Sequence, residues 1–390
     1  MSAAASQRAC IVGIGQTEYT RWGRIERSEF QLACEATMAA AADAGLALEE
    51  IDGFTSYSGD RSEAALLQTA LGLPRLRYAA MVWGGGGGGS CGAVDQAVAA
   101  VESGLANYVI AFRSLAQGQS PRYGRHRDGR LHGSFTAAFG MLAPAAMTAP
   151  TVRRHMHLYG TTEEHLAEVA LVCRDNANRN PHAVMRDKPL TREGYFQGRM
   201  IADPFRLNDC CLETDGACAV LVTTAERARD LRRAPVRILA SSHGSGPGWG
   251  TGALGSHNMP VDVYASVNSR TLGPELFARA GLKPSDIDVA QIYDNFTGLV
   301  IMALEDYGFC GIGEGGPYVA SGAIRPDGDL PINTAGGNLS EAYVHGLNHV
   351  VEGVRQLRGE STSQVEDAET CFVCGGLGVA PTSAVILARD

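Results

Sequence analysis

The sequence contains no uninterrupted run of about 18 apolar residues, the length that a helix needs to cross a bilayer. Its first residues, MSAAASQRACIVGIG, have only a short apolar run and no clear cleavage site, which is not typical of a signal peptide. We therefore expect a cytoplasmic protein that does not associate with a membrane.

An excess of positive charge is also missing. The chain has 33 Lys and Arg residues against 42 Asp and Glu residues, a formal net charge of −9, and it has no basic tail. Proteins that bind nucleic acids usually carry a basic patch or stripe. We therefore expect no nucleic acid among the partners.

Ten cysteines in 390 residues are too few for a disulfide scaffold. Cys371 and Cys374 have the spacing of zinc ligands, but they lie in an apolar, strand-like run. The other close pair is Cys210 and Cys211, and a four-ligand site would need both pairs to converge. We expect buried thiols and no metal site.

One stretch, Pro331–Gly346 (PINTAGGNLSEAYVHG), concentrates polar and titratable groups. It includes Tyr343 and His345, and Gly336 and Gly337 allow a close approach of backbone or ligand. A helix-like pattern of apolar residues follows. Taken alone, the stretch is typical of a surface loop, yet titratable groups on a glycine-rich turn before a helix are also what an active site needs.

Alternating helix and strand patterns predict an α/β architecture, and two short segments recur 236 residues apart. Asp43–Leu46 and Glu50–Phe54 correspond to Arg279–Leu282 and Asp286–Ala290. Each copy has the pattern of a helix that ends at Gly-Leu, a turn and a strand. The repeat indicates a duplicated unit with a boundary near Ala234, so we predict an N-terminal half, 1–234, and a C-terminal half, 235–390.

The N-terminal half contains additional sequence at about 113–200, which we interpret as an insertion over the sheet.

Four stretches of the sequence resemble thiolases: Ala9–Thr17, Pro204–Val220, Asp288–Leu357 and Cys374–Gly378. The resemblance is strongest to the thiolase domain of sterol carrier protein x and its bacterial lipid-transfer relatives. It implies a thiolase-like five-layered αβαβα fold made of two similar halves, which the internal repeat supports independently.

The chain departs from that family at the catalytic positions. Gly88 stands where the resemblance places the nucleophilic cysteine, and Cys91 lies three residues later, most of a turn around the helix. Ala342–Val344 (AYV) replaces Gly-His-Pro, Tyr293–Phe296 (YDNF) replaces His-Asp-Cys-Phe, and Phe372 replaces a second cysteine. Both thiols and both histidines are therefore missing.

This pattern is similar to that of thiolase-like steroid side-chain-cleaving aldolases. The resemblance implies retro-aldol cleavage of a β-hydroxyacyl-CoA, such as a 17-hydroxy steroid side-chain CoA ester, to a 17-ketosteroid and a short acyl-CoA (propionyl-CoA or acetyl-CoA). CoA would be part of the substrate, with no separate cofactor. It also implies a heterotetramer, with a homodimer core and a small OB-fold, zinc-ribbon partner protein.

A retro-aldol reaction needs two facing acid/base groups and no nucleophile. Tyr293 and Tyr343, which occupy the two histidine positions, are the candidates for that pair. A phenol is a weak base at neutral pH, so it needs a proton network or a nearby positive charge, and Asp294, Asn295 and His345 are the candidate supporting residues. The other interpretation is that both tyrosines only pack in the core.

The backbone amides of Ser90, Cys91 and Gly92, at a predicted helix start, are candidates for holding the enolate oxygen. The alternative is a flexible glycine-rich turn with no ligand. Loss of the nucleophile's side chain at Gly88 would also leave space for a bulky substrate.

Four arginines in the insertion are candidates for contacts with the phosphates of CoA, because an acidic protein needs local positive charge there. A solvated loop, with CoA held by the partner, is the other interpretation. These arginines are Arg122, Arg125, Arg127 and Arg130.

Three hypotheses remain from the sequence. The first is the aldolase described above. The second is a thiolase or acyltransferase that uses Cys91 as its nucleophile. The third is a non-catalytic thiolase-like subunit that only binds acyl-CoA or scaffolds its partner.

Overall fold

The computed structural model describes residues 9–57, 59–84, 86–119, 138–249 and 263–390. Within these ranges strands and helices alternate along most of the chain. The α/β architecture that the alternating patterns predict is therefore confirmed.

The strands are β1 (Ala9–Gln16), β2 (Thr20–Arg21), β3 (Gly53–Tyr57), β4 (Tyr78–Val82), β5 (Val109–Leu115), β6 (Met200–Ala202), β7 (Phe205–Arg206), β8 (Thr214–Thr224), β9 (Val236–Gly244), β10 (Val289–Ile292), β11 (Thr370–Gly375) and β12 (Thr382–Arg389). The α-helices are α1 (Glu29–Ala44), α2 (Ala64–Ala70), α3 (Ser90–Glu102), α4 (Pro144–Tyr159), α5 (Glu163–Arg179), α6 (Arg192–Phe196), α7 (Ala225–Ala228), α8 (Leu272–Ala280), α9 (Thr297–Asp306), α10 (Gly315–Ala320), α11 (Gly337–Ser340) and α12 (Leu347–Arg358).

The main sheet has the strand order β10-β11-β12-β9-β1-β8-β5-β3-β4, with β2 paired to β8. On one side of the β1–β9 contact, β3 and β5 are parallel, and β5–β8 and β8–β1 are antiparallel. On the other side, β10 and β11 are parallel, and β11–β12 and β12–β9 are antiparallel. The same series of pairings therefore occurs twice.

The repeat seen in the sequence falls on equivalent strands of the two series. β3 begins at Gly53 and β10 begins at Val289, 236 residues later. The chain passes from one series to the other between Thr224, at the end of β8, and Val236, at the start of β9. The domain boundary at residue 234 stays a prediction, and this topology is compatible with it.

Helices pack on both faces of the sheet. Helices α3 and α12 bury their apolar residues in one cluster with strands from both series, whereas α1 packs in a separate cluster with β1, β5 and β8. Helices α4, α5 and α9 bury apolar residues together against the β10 end of the sheet. Among the described residues, no helix combines the length and apolar character needed to cross a membrane.

The segment interpreted as an insertion starts inside the sheet, because Arg113 belongs to β5. Its described part continues as α4, α5 and α6, and these helices pack against α9 and the loop before it. The four arginines proposed as CoA contacts, at 122–130, lie outside the described residues.

Small residues determine how closely α1 approaches β1. A Cβ atom added to Gly15 would meet the carbonyl oxygen of Ala36 and would lie 2.6 Å from the backbone nitrogen of Ala40. Neither contact is relieved by a side-chain rotation, since both partners are backbone atoms.

We therefore expect Gly15→Ala to lower the free energy of unfolding by about 1–3 kcal/mol through overpacking. Urea unfolding followed by circular dichroism measures the change. Gly244→Ala is the matched control, because among the residues that the structure describes an added Cβ there would meet only Leu272 Cδ2, at 3.4 Å. Equal midpoints for the two variants would contradict the expectation.

Candidate active site

Tyr293 and Tyr343 lie side by side at the carboxyl end of β10. Tyr293 directly follows that strand and is 2% exposed. Tyr343 is half-buried and lies on the segment Pro331–Gly346 before α12, which we call the polar loop. The Tyr293 hydroxyl donates a hydrogen bond of 2.9 Å to the Tyr343 hydroxyl, and the ring centroids are 6.3 Å apart. The structure therefore brings together the two phenols that replace histidines in the sequence motifs.

The glycine run of the first half lies directly against these phenols. A Cβ atom added to Gly86 would stand 3.6 Å from the Tyr343 hydroxyl and 3.7 Å from the Tyr293 hydroxyl. One added to Gly87 would overlap the Tyr293 ring and lie 2.6 Å from its hydroxyl. At position 87 only glycine allows this close approach to the Tyr293 ring.

Asp294 holds the polar loop in place. Its carboxylate accepts hydrogen bonds from the backbone nitrogens of Asn338 (2.7 Å) and Leu339 (3.1 Å), at the start of the short helix α11. It also lies 3.1 Å from Nε2 of His349, whose ring is 6.3 Å from that of Tyr293. These contacts make Asp294 an anchor for the loop, and its role as a supporting residue for the phenols stays a prediction.

Thr214, from the motif at the start of β8, fixes the backbone of Tyr343 on the other side. Its hydroxyl accepts a hydrogen bond from Tyr343 N (2.8 Å) and donates one to Tyr343 O (3.1 Å). Hydrogen bonds to a strand of the first half therefore fix the backbone segment that carries the Tyr343 phenol.

His345 does not provide the positive charge that we expected from its position beside Tyr343. Its Nδ1 accepts a hydrogen bond of 3.1 Å from Nε of Arg113, and both side chains are buried. Burial, and then the Arg113 charge, lower the pKa of His345 well below its usual value, so the imidazole is neutral. The cation is Arg113, which pairs with Asp60 at 2.8 Å.

Burial raises the pKa of Tyr293 well above its usual value, and the neighbouring Tyr343 adds to the rise. Tyr293 is therefore protonated at neutral pH and can donate a proton.

Cys91 packs inward, as its phase on the helix indicates. It is fully buried, its Sγ lies 3.6 Å from Val373 O on β11, and burial raises the pKa of the thiol to about 12. Gly88 does not leave the open space that we expected, because a Cβ atom there would meet the carbonyl oxygen of Pro381 and lie 3.0 Å from Val379.

The role of the Ser90, Cys91 and Gly92 amides in holding the enolate oxygen stays a prediction. A 3₁₀ turn, Gly86–Gly89, runs directly into α3, so Ser90, Cys91 and Gly92 lie one turn inside the helical segment. In a helical segment, the amides of the first turn are the ones that lack a carbonyl partner within the helix. The positive end of the helix therefore lies at the glycines beside the phenols.

Asn295, the remaining supporting residue, is half-buried next to Asp294. Its backbone oxygen accepts a hydrogen bond from Cys211 N (3.0 Å), and its side-chain Oδ1 is buried without a hydrogen-bond partner in the described part of the chain. Within that part, no three His, Cys, Asp or Glu residues are grouped so that they could hold a metal ion.

The sequence patterns did not identify three residues near the two phenols: Arg113, Asp60 and His349. Arg113 carried a usable signal, because it is a charge inside the apolar strand sequence VIAFRSL. Asp60 and His349 lie in a turn and on a helix face, and nothing in their local sequence connects them with Tyr293 or Tyr343.

Comparison with known proteins identifies close relatives over nearly the whole chain. The sequence is 41% identical to the 17-hydroxy-3-oxo-4-pregnene-20-carboxyl-CoA lyase of Mycobacterium tuberculosis, covering 98% of this chain and 99% of that protein. It is 40% identical to the steroid side-chain-cleaving aldolase of Thermomonospora curvata, covering 98% of each.

Solved structures give the same result. A structure described as the Ltp2-ChsH2(DUF35) aldolase superimposes with a TM-score of 0.92 at 39% identity, covering 99% of both chains. A monomeric SCP2-thiolase-like protein type 1 from Mycobacterium smegmatis shares the fold, with a TM-score of 0.73 at 18% identity over 99% of this chain and 78% of that one.

Residues 256–389 also match the family model described as Thiolase C-terminal domain-like. The chain therefore has the thiolase-like αβαβα fold of two similar halves, and it belongs to the thiolase-like steroid side-chain-cleaving aldolases, a lyase branch of the thiolase superfamily.

Proposed function

We propose that this protein cleaves a β-hydroxyacyl-CoA by a retro-aldol reaction. The substrate class is a 17-hydroxy steroid side-chain CoA ester, and the products are a 17-ketosteroid and a short acyl-CoA, propionyl-CoA or acetyl-CoA. The similarity to the two lyases supports the substrate class. The 2.9 Å contact between the hydroxyls of Tyr293 and Tyr343 is the observation that carries the mechanism.

The reaction requires proton transfer and no covalent intermediate. A base removes the proton of the β-hydroxyl group, and the C–O bond becomes a carbonyl as the bond between Cα and Cβ breaks. The electron pair of that bond passes into the thioester, which becomes an enolate, and an acid then protonates Cα. A site with two phenols and no accessible thiol suits this reaction better than acyl transfer.

We assign Tyr343 as the group that takes the hydroxyl proton and Tyr293 as the group that protonates Cα. Tyr293 donates its hydrogen bond to the Tyr343 oxygen, and this arrangement stabilises negative charge on Tyr343. Burial raises the pKa of Tyr293, which keeps it protonated. In this scheme Tyr343 starts as the phenolate and Tyr293 as the neutral phenol. After turnover, one proton passes from Tyr343 to Tyr293 along the same hydrogen bond, which restores both states.

The glycine turn Gly86–Gly89 is the candidate site for the enolate oxygen. It begins the helical segment that continues as α3, and the positive end of that segment faces the phenols. This places the electrostatic stabilisation in the first half of the chain and the proton-transfer groups in the second half.

CoA enters as part of the substrate, and we propose no separate cofactor. The arginines at 122–130 stay candidates for its phosphates, and the cytoplasmic location stays a prediction.

We further propose a homodimer core and a heterotetramer with a small OB-fold, zinc-ribbon partner. The similar aldolase structure is described as a complex with a DUF35 protein, which supports a partner of that kind. The homodimer is supported by β4, which ends the sheet and leaves Met81 50% exposed, while Trp83 just beyond it is 86% exposed. An exposed edge strand with apolar side chains is a surface on which a second chain can pair.

An assay with a 17-hydroxy steroid side-chain CoA ester, with and without the zinc-ribbon partner, tests the function by release of the 17-ketone. Tyr293→Phe and Tyr343→Phe should each lower kcat by about 10²–10⁴-fold, because each removes one proton-transfer group. KM should stay nearly constant, since both rings keep their packing.

Tyr318→Phe is the matched control, because this half-buried tyrosine packs against the helical cluster of the second half. Its kcat should equal that of the unmodified protein. Release of no ketone, even with the partner present, would favour a non-catalytic acyl-CoA-binding subunit, and full activity of both phenol variants would place the chemistry elsewhere.

Alkylation separates the aldolase from a thiolase that uses Cys91. Burial and a pKa of about 12 should protect Cys91 from iodoacetamide at neutral pH in the folded protein, and lyase activity should survive the treatment. Peptide mapping by mass spectrometry should show modification of the partly exposed Cys34 first. A thioester-linked intermediate, or loss of activity that tracks modification of Cys91, would support the thiolase hypothesis instead.

Trp83→Asp should weaken the homodimer, because it puts a charge beside the exposed β4 edge. Light scattering after size-exclusion chromatography should show a shift toward the monomer mass. Ile312→Asp, at a 46% exposed position of the second half, is the control and should keep the mass of the unmodified protein. An unchanged mass for Trp83→Asp would move the interface to another surface.

A further inference from the structure

A buried ion pair lies behind the polar loop, in a place that the proposed chemistry does not use. Arg113 and Asp60 form a 2.8 Å pair in which the arginine side chain is 3% exposed and the carboxylate is fully buried. Asp60 also accepts a hydrogen bond from the backbone nitrogen of Ser62 at 2.8 Å, and the backbone nitrogen of Ser114 lies 3.3 Å away. These contacts hold the pair in one position and offset the burial of its two charges.

The pair determines the protonation state of His345. The Nε–H group of Arg113 points at Nδ1 of the imidazole at 3.1 Å, and a guanidinium can only donate. Nδ1 must therefore carry the lone pair, and the single proton of the neutral ring lies on Nε2. A second proton on Nδ1 would face the arginine N–H directly.

The backbone at His345 is held in an unusual conformation. Its φ of 49° lies in the left-handed region, and the buried hydroxyl of Tyr57 donates a 3.0 Å hydrogen bond to its carbonyl oxygen. The imidazole then stands edge-on to the phenol of Tyr343, with centroids 4.9 Å apart and planes at 79°. The His345 ring therefore packs against one side of the Tyr343 phenol.

We propose that His345 is a positioning residue for Tyr343, and that the buried Arg113–Asp60 pair locks its imidazole in the neutral Nε2–H tautomer. The proposal rests on the proposed role of Tyr343 in proton transfer. A neutral ring places no competing charge beside the phenol, and its fixed tautomer keeps the edge contact in one orientation. Arg113 and Asp60 act through His345 and do not touch the phenol in this scheme.

The ionisable groups that face His345 come from three elements. They are Arg113 on β5, Tyr57 on β3 and Tyr343 on the same loop, with Asp60 behind the arginine. The charge of Arg113 lowers the pKa of the imidazole, so removal of this charge should raise that pKa.

The unmodified protein and two variants test the proposal through the dependence of kcat on pH. The unmodified protein should show no loss of kcat from His345 ionisation between about pH 5.5 and 8, because the ring stays neutral throughout. In Arg113→Gln the Asp60 carboxylate has lost its cation and favours protonation of His345. The value of kcat should therefore fall as the pH falls through the raised pKa of the imidazole. In Arg113→Gln/Asp60→Asn, this acid limb, the fall of kcat at low pH, should begin at a lower pH than in Arg113→Gln and at a higher pH than in the unmodified protein.

His345→Phe keeps a ring against Tyr343 and removes the ionisable group. It should lower kcat about tenfold with KM within about twofold, and in the Arg113→Gln background it should abolish the acid limb. Arg270→Gln/Asp306→Asn is the matched control. It removes another Arg–Asp pair, at 2.7 Å, located at the far end of α9, about 14 Å along that helix from its start.

An activity-independent measurement separates this proposal from the proposed function. Nitrogen NMR of labelled histidine, with the His345 signals identified by their loss in His345→Phe, should show the neutral Nε2–H tautomer across the same pH range. If the protein proves inactive, the lyase function fails while this result still tests the lock. Titration of His345 in the unmodified protein, coincident pH profiles for the arginine variants, or unchanged kcat in His345→Phe would overturn the proposal.

Discussion

The hydrogen bond between the hydroxyls of Tyr293 and Tyr343 is the contact around which the other features of the site are arranged. It joins the end of a strand to the polar loop that precedes α12. Separate hydrogen bonds fix the two partners. Asp294, next to Tyr293, accepts one from the start of α11, and Thr214, at the start of β8, accepts one from the backbone of Tyr343. The short distance therefore results from the packing of both halves, and the glycine turn at 86–89 leaves room for it.

The side chains next to the two phenols carry no net charge. Arg113 is paired with Asp60, and it donates a hydrogen bond to the uncharged imidazole that packs against Tyr343. A buried pair of this kind contributes little net stability, because desolvation of both ions offsets their attraction. Its proposed contribution is the geometry and protonation state that it gives to His345.

Much of the fold was predictable because it depends on local patterns. The alternation of helices and strands and the repeat at 236 residues follow from hydrophobic periodicity and turn residues, and β3 and β10 start at corresponding positions. The helical phase also predicted that Cys91 points inward. The insertion was assigned too early in the chain, because Arg113 interrupts an apolar strand and was grouped with the polar residues after it.

The sequence alone determined which groups are chemically present: two phenols at the positions of histidines and no cysteine at the nucleophile position. It could not determine which charges act on them, because Asp60 and Arg113 lie more than two hundred residues before His345 and meet it only when both halves pack together. Burial reversed the expected role of His345, since a desolvated imidazole beside a guanidinium stays neutral. Long-range packing and the exclusion of water are properties of the tertiary structure, so the protonation states at this site were decided there.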